Sequence, residues 1–241
     1  MSPGVRCMSR SLFGRARCGA QSWRSGMLRQ ARCCGNILKE PKGIPVSQIL
    51  ESERSARTEP RRHAITLAEC AQMAAAGVFA PGVRMELIEG ELIEMAPIGD
   101  AHANLVSALA ALLIEALGAR RVRIQQPLAL SDTSRPEPDI VLLREPAPVP
   151  PRLDWCPLAP EVSLVIEVAD SSLAHDRRKA VLYAEAGVSE MLLVDVQART
   201  VEHFTEPAEG GYRQRVHRVA GHVVQLESVG VEIALKDVFP G

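Results

Sequence analysis

Val162-Ser-Leu-Val-Ile-Glu-Val168 limits the fold of this chain more than any other segment. Its apolar residues run on without the polar alternation of a half-exposed strand, so it reads as a strand covered on both faces. Asp139-Ile-Val-Leu-Leu143 and Met191-Leu-Leu-Val-Asp195 repeat the pattern. Strands buried on both sides need a layer above and a layer below. Two stretches with helical spacing can supply them. One follows Asp100, with Leu105, Leu109, Leu112, Leu113 and Ala116 on its apolar face and Gly118 as its stop; the other runs from Ala174 to Ala186 and stops at Gly187. The order helix, three strands, helix, strand predicts a mixed central sheet flanked by helices, an α/β (α+β) core.

Shorter signals fill in the rest. Thr66 followed by Glu69 is a capping box, opening a helix with Leu67, Ala71, Ala74 and Ala75 on one face and Gly77 at its end. Met85-Glu-Leu-Ile-Glu-Gly-Glu-Leu-Ile-Glu-Met95 alternates around Glu89-Gly90 and predicts a β-hairpin. Val122–Leu130 reads as a further strand. Residues 144–160 hold six of the 17 prolines and predict an irregular connection without a packed element. Beyond Asp195, runs near Val201–Phe204, Tyr212–Val219 and Val223–Leu226 predict an antiparallel meander.

The formal charge of -1 conceals two opposed segments. Residues 1–62 carry 13 basic and 4 acidic side chains (+9), and residues 63–241 carry 15 and 25 (-10). The expected working domain is therefore 63–241, preceded by a basic extension over 1–62. From Met1 to Leu38 there are seven Arg, five Ser and no acid. That composition imitates an organellar transit peptide; disorder, translation from an upstream start and a basic nucleic-acid-binding arm are the competing readings. Four of the six cysteines lie in this extension, leaving Cys70 and Cys156 in the domain. Two are too few for a disulfide framework, which places the chain in a reducing compartment, the cytoplasm. The most apolar stretch, Ala103–Gly118, is interrupted by Asn104, Ser107 and Glu115, so no membrane span is expected.

Chemistry concentrates in a few acids and one lysine. Glu167 stands inside an apolar strand, where an unpaired carboxylate costs several kcal/mol. Asp139, after Pro138, opens a strand expected nearby. Two carboxylates brought together would repel unless a cation lay between them, and an all-oxygen donor set selects Mg²⁺ or Mn²⁺. Lys179 on the following helix could orient an attacking water, and Asp176, one helical turn earlier, could steady its ammonium. A purely structural reading is equally open at this level, with Asp139 capping a turn and Glu167 paired to an arginine. His102 at the start of a core helix, and Glu91 with Glu94 on the hairpin, are supporting candidates. His203, His217 and His222 lack metal-ligand spacing and are expected in solvent. No Gly-x-Ser-x-Gly elbow, Walker loop or dinucleotide fingerprint occurs.

Several separated blocks, in order, carry a resemblance. They are Glu86-Leu-Ile-Glu-Gly-Glu-Leu-Ile-Glu94, the helix led by His102, Pro138-Asp139, and Ala159-Pro-Glu-Val-Ser-Leu-Val-Ile-Glu-Val168. Asp176-Arg-Arg-Lys-Ala-Val-Leu-Tyr-Ala-Glu-Ala-Gly-Val188 and Leu193-Val-Asp195 complete the set. Over residues 64–241 the chain resembles the putative restriction endonuclease family, abundant in cyanobacteria and other bacteria and part of the PD-(D/E)XK nuclease superfamily. The resemblance implies a restriction-endonuclease-like fold, Asp139 and Glu167 as Mg²⁺ (or Mn²⁺) ligands, Lys179 as the catalytic lysine and DNA as the substrate; many nucleases of this fold act as homodimers. Two features depart from the pattern. The superfamily places its lysine two residues after the acid, where this chain has Ala169, so the resemblance implies a lysine moved to the helix. Met191 and Leu192 stand where relatives often carry aromatics. A catalytically inactive module that binds nucleic acid or protein is the alternative, motivated by the -10 charge of the domain.

Overall fold

A computed structural model describes residues 61–153 and 155–239, so the extension anticipated over 1–62 lies almost wholly outside the described residues. Helix α1 (Leu67–Ala75) opens with the expected capping box: Thr66 Oγ1 accepts from the Glu69 N–H at 3.2 Å, and Glu69 Oε2 accepts from the Thr66 N–H at 2.8 Å. The hairpin β1 (Met85–Ile88) and β2 (Glu91–Glu94) turns through Glu89 and Gly90, at φ of 50° and 80°. Gly90 is required twice over. Its φ disfavours an L side chain, and a Cβ there would lie 2.5 Å from that of Ala64.

The main sheet has the order β3-β4-β5-β6-β7-β8. Its strands are β3 (Val122–Ile124), β4 (Ile140–Leu143), β5 (Val162–Ala169), β6 (Glu190–Asp195), β7 (Thr200–Ala208) and β8 (Gly211–Val219). Only β5 and β6 pair in parallel, and α3 (Leu173–Glu185) makes the crossover that a parallel pair requires. Every residue of β4 and β5 is buried. Alternation sorts them by face: Ile140, Leu142, Leu164 and Ile166 pack with α2 (Asp100–Leu117), whereas Val141, Leu143 and Val165 join Ala180 and Tyr183 of α3. By length and composition α2 could cross a membrane. Its apolar residues Leu105, Leu109 and Leu113 are instead buried in the core beside β4 and β5.

Three expectations are corrected. Of the strand expected over Val122–Leu130, only Val122–Ile124 joins the main sheet, because Gln125 takes a φ of 48° and Pro127 has no N–H for a ladder; Ala129 makes an isolated bridge to Leu158. The tail is not one meander. β7 and β8 extend the main sheet, while β9 (Val223–Leu226) pairs with β10 (Val231–Ala234) and α4 (Leu235–Val238) follows. Val224, Leu226 and Ile233 draw this second hairpin onto the α2 core. His203 is buried, its Nε2 3.8 Å from Glu190, because β7 lies inside the sheet; His217 and His222 are exposed as expected.

Candidate active site

A cleft of about 370 Å³ opens where β5 leads into α3, bounded also by the β1–β2 hairpin and the start of α2. Asp139 reaches it from the residue before β4. Glu167 comes from the α3-facing side of β5, and Lys179 from the buried stripe of α3. These three sequence candidates meet because β4 and β5 are neighbours in register, Ile140 opposite Ile166.

The chain holds each group firmly. Asp139 Oδ2 accepts the Val168 N–H at 2.9 Å and lies 3.1 Å from His102 Nε2. Glu167 Oε1 accepts the Tyr183 hydroxyl at 2.6 Å and meets Lys179 Nζ at 2.7 Å. Glu167 Oε2 is less engaged, with the Asp139 N–H at 3.4 Å. Lys179 also donates to Glu86 Oε1 at 3.1 Å and lies 3.6 Å from Asp176. Glu167 therefore pairs with a lysine and a tyrosine, not with an arginine.

Burial dominates the electrostatics. It pushes the Glu167 carboxyl up to about 8, reinforced by the negative charges of Asp176, Asp139 and Glu86 and opposed by Lys179. Burial also works against the Lys179 ammonium, but Glu167, Glu86 and Asp176 outweigh it and hold the lysine charged. Lys179 is the firmer charge of the pair: three carboxylates surround it, whereas Glu167 has one cation against three like charges. The hydrogen bond that His102 makes to the Asp139 carboxylate raises its pKa, against the opposing effect of burial. Burial and the neighbouring Glu167 keep the Tyr183 hydroxyl protonated far above its usual range.

Of the supporting candidates, His102, Asp176 and Glu94 line the cleft. Glu91 does not. It sits at the turn end of the hairpin, 72% exposed, with Arg62 at 3.8 Å. The hairpin acid that enters the buried cluster is Glu86, 2% exposed, accepting the Glu137 N–H at 2.7 Å as well as Lys179. Its sequence signal was its place beside Leu87 and Ile88 in the strand that becomes covered. Tyr183 and His175 were also missed. Tyr183 falls four residues after Lys179, on the same helical stripe, a spacing that could have flagged it. His175, with Nε2 3.5 Å from Glu86, left no such mark.

Among the described residues no group of three or more His, Cys, Asp or Glu side chains is arranged to hold a metal ion. Asp139 and Glu167 nonetheless fit Mg²⁺ in kind. Both are hard oxygen donors, Glu167 Oε2 is only lightly engaged, and Mg²⁺ is commonly bound by one or two carboxylates with water and substrate phosphate completing its shell.

A mixed six-stranded sheet between helices, with acids and a lysine converging at one end of its central strands, is a nuclease-type architecture. Residues 67–236 match the model of the Uma2 family, described as putative restriction endonuclease, and the chain belongs to that family. Among solved structures it is similar to a putative nuclease belonging to DUF820 from Anabaena variabilis. The TM-score is 0.60 at 18% identity, covering 73% of this chain and 97% of that one, a likeness of fold. No curated protein matches the chain.

Proposed function

We propose that the protein is a metal-dependent endonuclease that hydrolyses phosphodiester bonds of DNA in this cleft. The observation that carries the reading is the convergence of Asp139, Glu167 and Lys179 from three separate elements into one partly open site. Asp139 and Glu167 would hold Mg²⁺ or Mn²⁺, and such an ion, when bound, stabilises charge developing on a phosphoryl group. The residues around them set the geometry. The Tyr183 hydroxyl and the Lys179 ammonium fix Glu167 Oε1, leaving Oε2 only lightly engaged. The Val168 N–H and His102 hold the Asp139 carboxylate in place. Lys179, clamped by Glu86 and steadied by Asp176, presents positive charge where a water can be oriented for attack. In this reading the working domain is 63–241, the protein is cytoplasmic, and residues 1–62 take no part in hydrolysis.

The test is cleavage of plasmid DNA by purified protein in Mg²⁺ or Mn²⁺, alongside Asp139→Asn and Glu167→Gln. Both substitutions should abolish cleavage while the protein remains folded by circular dichroism; cleavage surviving both refutes the reading. A non-cleaving nucleic-acid- or protein-binding module is the second reading. The pairing of both cleft cations with carboxylates favours it. Calorimetry separates the two: an absence of divalent-ion binding by the wild type supports the module.

A further inference from the structure

The charged side chains of the cleft lie beside an apolar lining made by Ile93, Val168 and one loop. Seven of its lining residues are acids and two are cations, Arg84 and Lys179. Both cations are already paired: Arg84 with Glu137 at 2.6 Å, and Lys179 with Glu167 and Glu86. A duplex is gripped chiefly through a series of phosphate contacts from free lysines and arginines. This cleft has none to spare. Its longest apolar stretch is the β2–α2 loop, Met95-Ala-Pro-Ile-Gly99, which has no polar side chain and lines the same cleft. From Ala96 to Gly99 the loop is exposed. Ile98, 43% exposed, is the one large exposed apolar side chain of the described residues that borders the catalytic groups.

A single exposed isoleucine is ordinary. With a divalent cation on its carboxylates, as the nuclease reading requires, a cleft that also carries a run of five residues without a polar side chain suits a ligand with an anionic end and a flat apolar body. A nucleotide unit has that form, and a cleft of about 370 Å³ is near the lower end of the range that encloses one compact organic ligand. In a duplex the faces of the bases are covered by their neighbours. Ile, Met and Pro side chains reach them only by wedging into an opened step or by meeting an unpaired base.

We infer that the Met95–Gly99 loop, through Ile98, packs against an unpaired nucleobase next to the scissile phosphate, so that the substrate is single-stranded at the point of cleavage. This rests on the nuclease reading and adds the strand state of the substrate. The experiment uses the full chain with a 2-aminopurine-labelled single-stranded DNA oligonucleotide and the same sequence as a duplex, both in Ca²⁺. Affinity is followed by anisotropy and stacking by quenching of the 2-aminopurine emission. Wild type should bind the single strand more tightly and quench its emission. Ile98→Ser should lower that affinity about tenfold, equivalent to about 1.4 kcal/mol, with loss of quenching and no change in duplex affinity. Ile98→Trp should restore or exceed the wild-type value, since aromatic faces stack bases best. Melting temperature should not move in either variant, because residue 98 lies outside the core. Wild-type binding of duplex as tight as of single strand, or single-strand affinity indifferent to residue 98, overturns the inference and leaves the nuclease reading standing. Failure of wild type to bind either form overturns both.

Discussion

Replacing Lys179 with methionine keeps most of the aliphatic stem and removes only the charge. The ammonium lies 2.7 Å from Glu167, 3.1 Å from Glu86 and 3.6 Å from Asp176, and the lysine is 3% exposed. Each contact is worth about 4–6 kcal/mol of gross attraction at an effective dielectric of 20. Desolvation of the ion offsets much of this. What decides the outcome is the state left behind: buried carboxylates facing one another with no counter-charge. Removing one partner of a buried ion pair costs about 3–5 kcal/mol. For a domain of this size that lowers the melting temperature by about 6–20 °C, at 2–4 °C per kcal/mol.

The loss should depend on pH in a definite direction. In the variant the Glu167 carboxyl, already raised, loses the cation that opposes the rise, so the stability it contributes is intact below the ordinary carboxylate range and is lost as pH climbs through the raised value. The ammonium of the wild type stays charged throughout this range. Urea unfolding of metal-free wild type and Lys179→Met at about pH 5 and about pH 8 should therefore give a gap at least twice as large at the higher pH. An equal gap at both, or a loss below about 1 kcal/mol at pH 8, would show that Lys179 does not neutralise this cluster.

Three further outcomes follow from the same geometry. Tyr183→Phe removes the hydroxyl that donates to Glu167, and should cost about 1.5–3 kcal/mol in denaturant unfolding while weakening Mn²⁺ binding measured by calorimetry. Because Glu167 is pushed up to about 8, its contribution is present below about pH 4.5 and is lost as pH rises through 8; metal-free Glu167→Gln should lack that decline in a melting-temperature series. Glu202 behaves oppositely. Burial acts against its charge, but Arg177 and Arg215 hold it below the usual carboxylate range. Its stabilisation is thus present at neutral pH and is lost on acidification below about 4.5, so Glu202→Gln should cost about 1 kcal/mol at pH 7 and nothing once the wild-type carboxylate is protonated.

Much of this was legible one-dimensionally. Thr66 with Glu69, and Glu89 with Gly90, determine a cap and a turn because their physics acts over a few residues. The predominantly apolar runs of β4, β5 and β6 determine a sheet covered on both faces, since that arrangement removes those side chains from water. Glu167 announced itself by interrupting one of those runs. Glu86 did not, because alternation along a hairpin gives the period of its side chains but not which repeat will meet the cleft. Glu86 and Glu91 differ in that respect alone, and one is buried against Lys179 while the other is in solvent.

The amino-acid sequence by itself determined the local elements, the covered sheet and the presence of acids that must be compensated. Tertiary structure alone decided how they are compensated. It set β4 beside β5 so that Asp139 meets Glu167, brought the hairpin down so that Glu86 grips Lys179, and chose a lysine and a tyrosine as the partners of the buried acid. Pairing of charges depends on distance in space, and between residues 86, 139, 167 and 179 only the folded chain sets that distance.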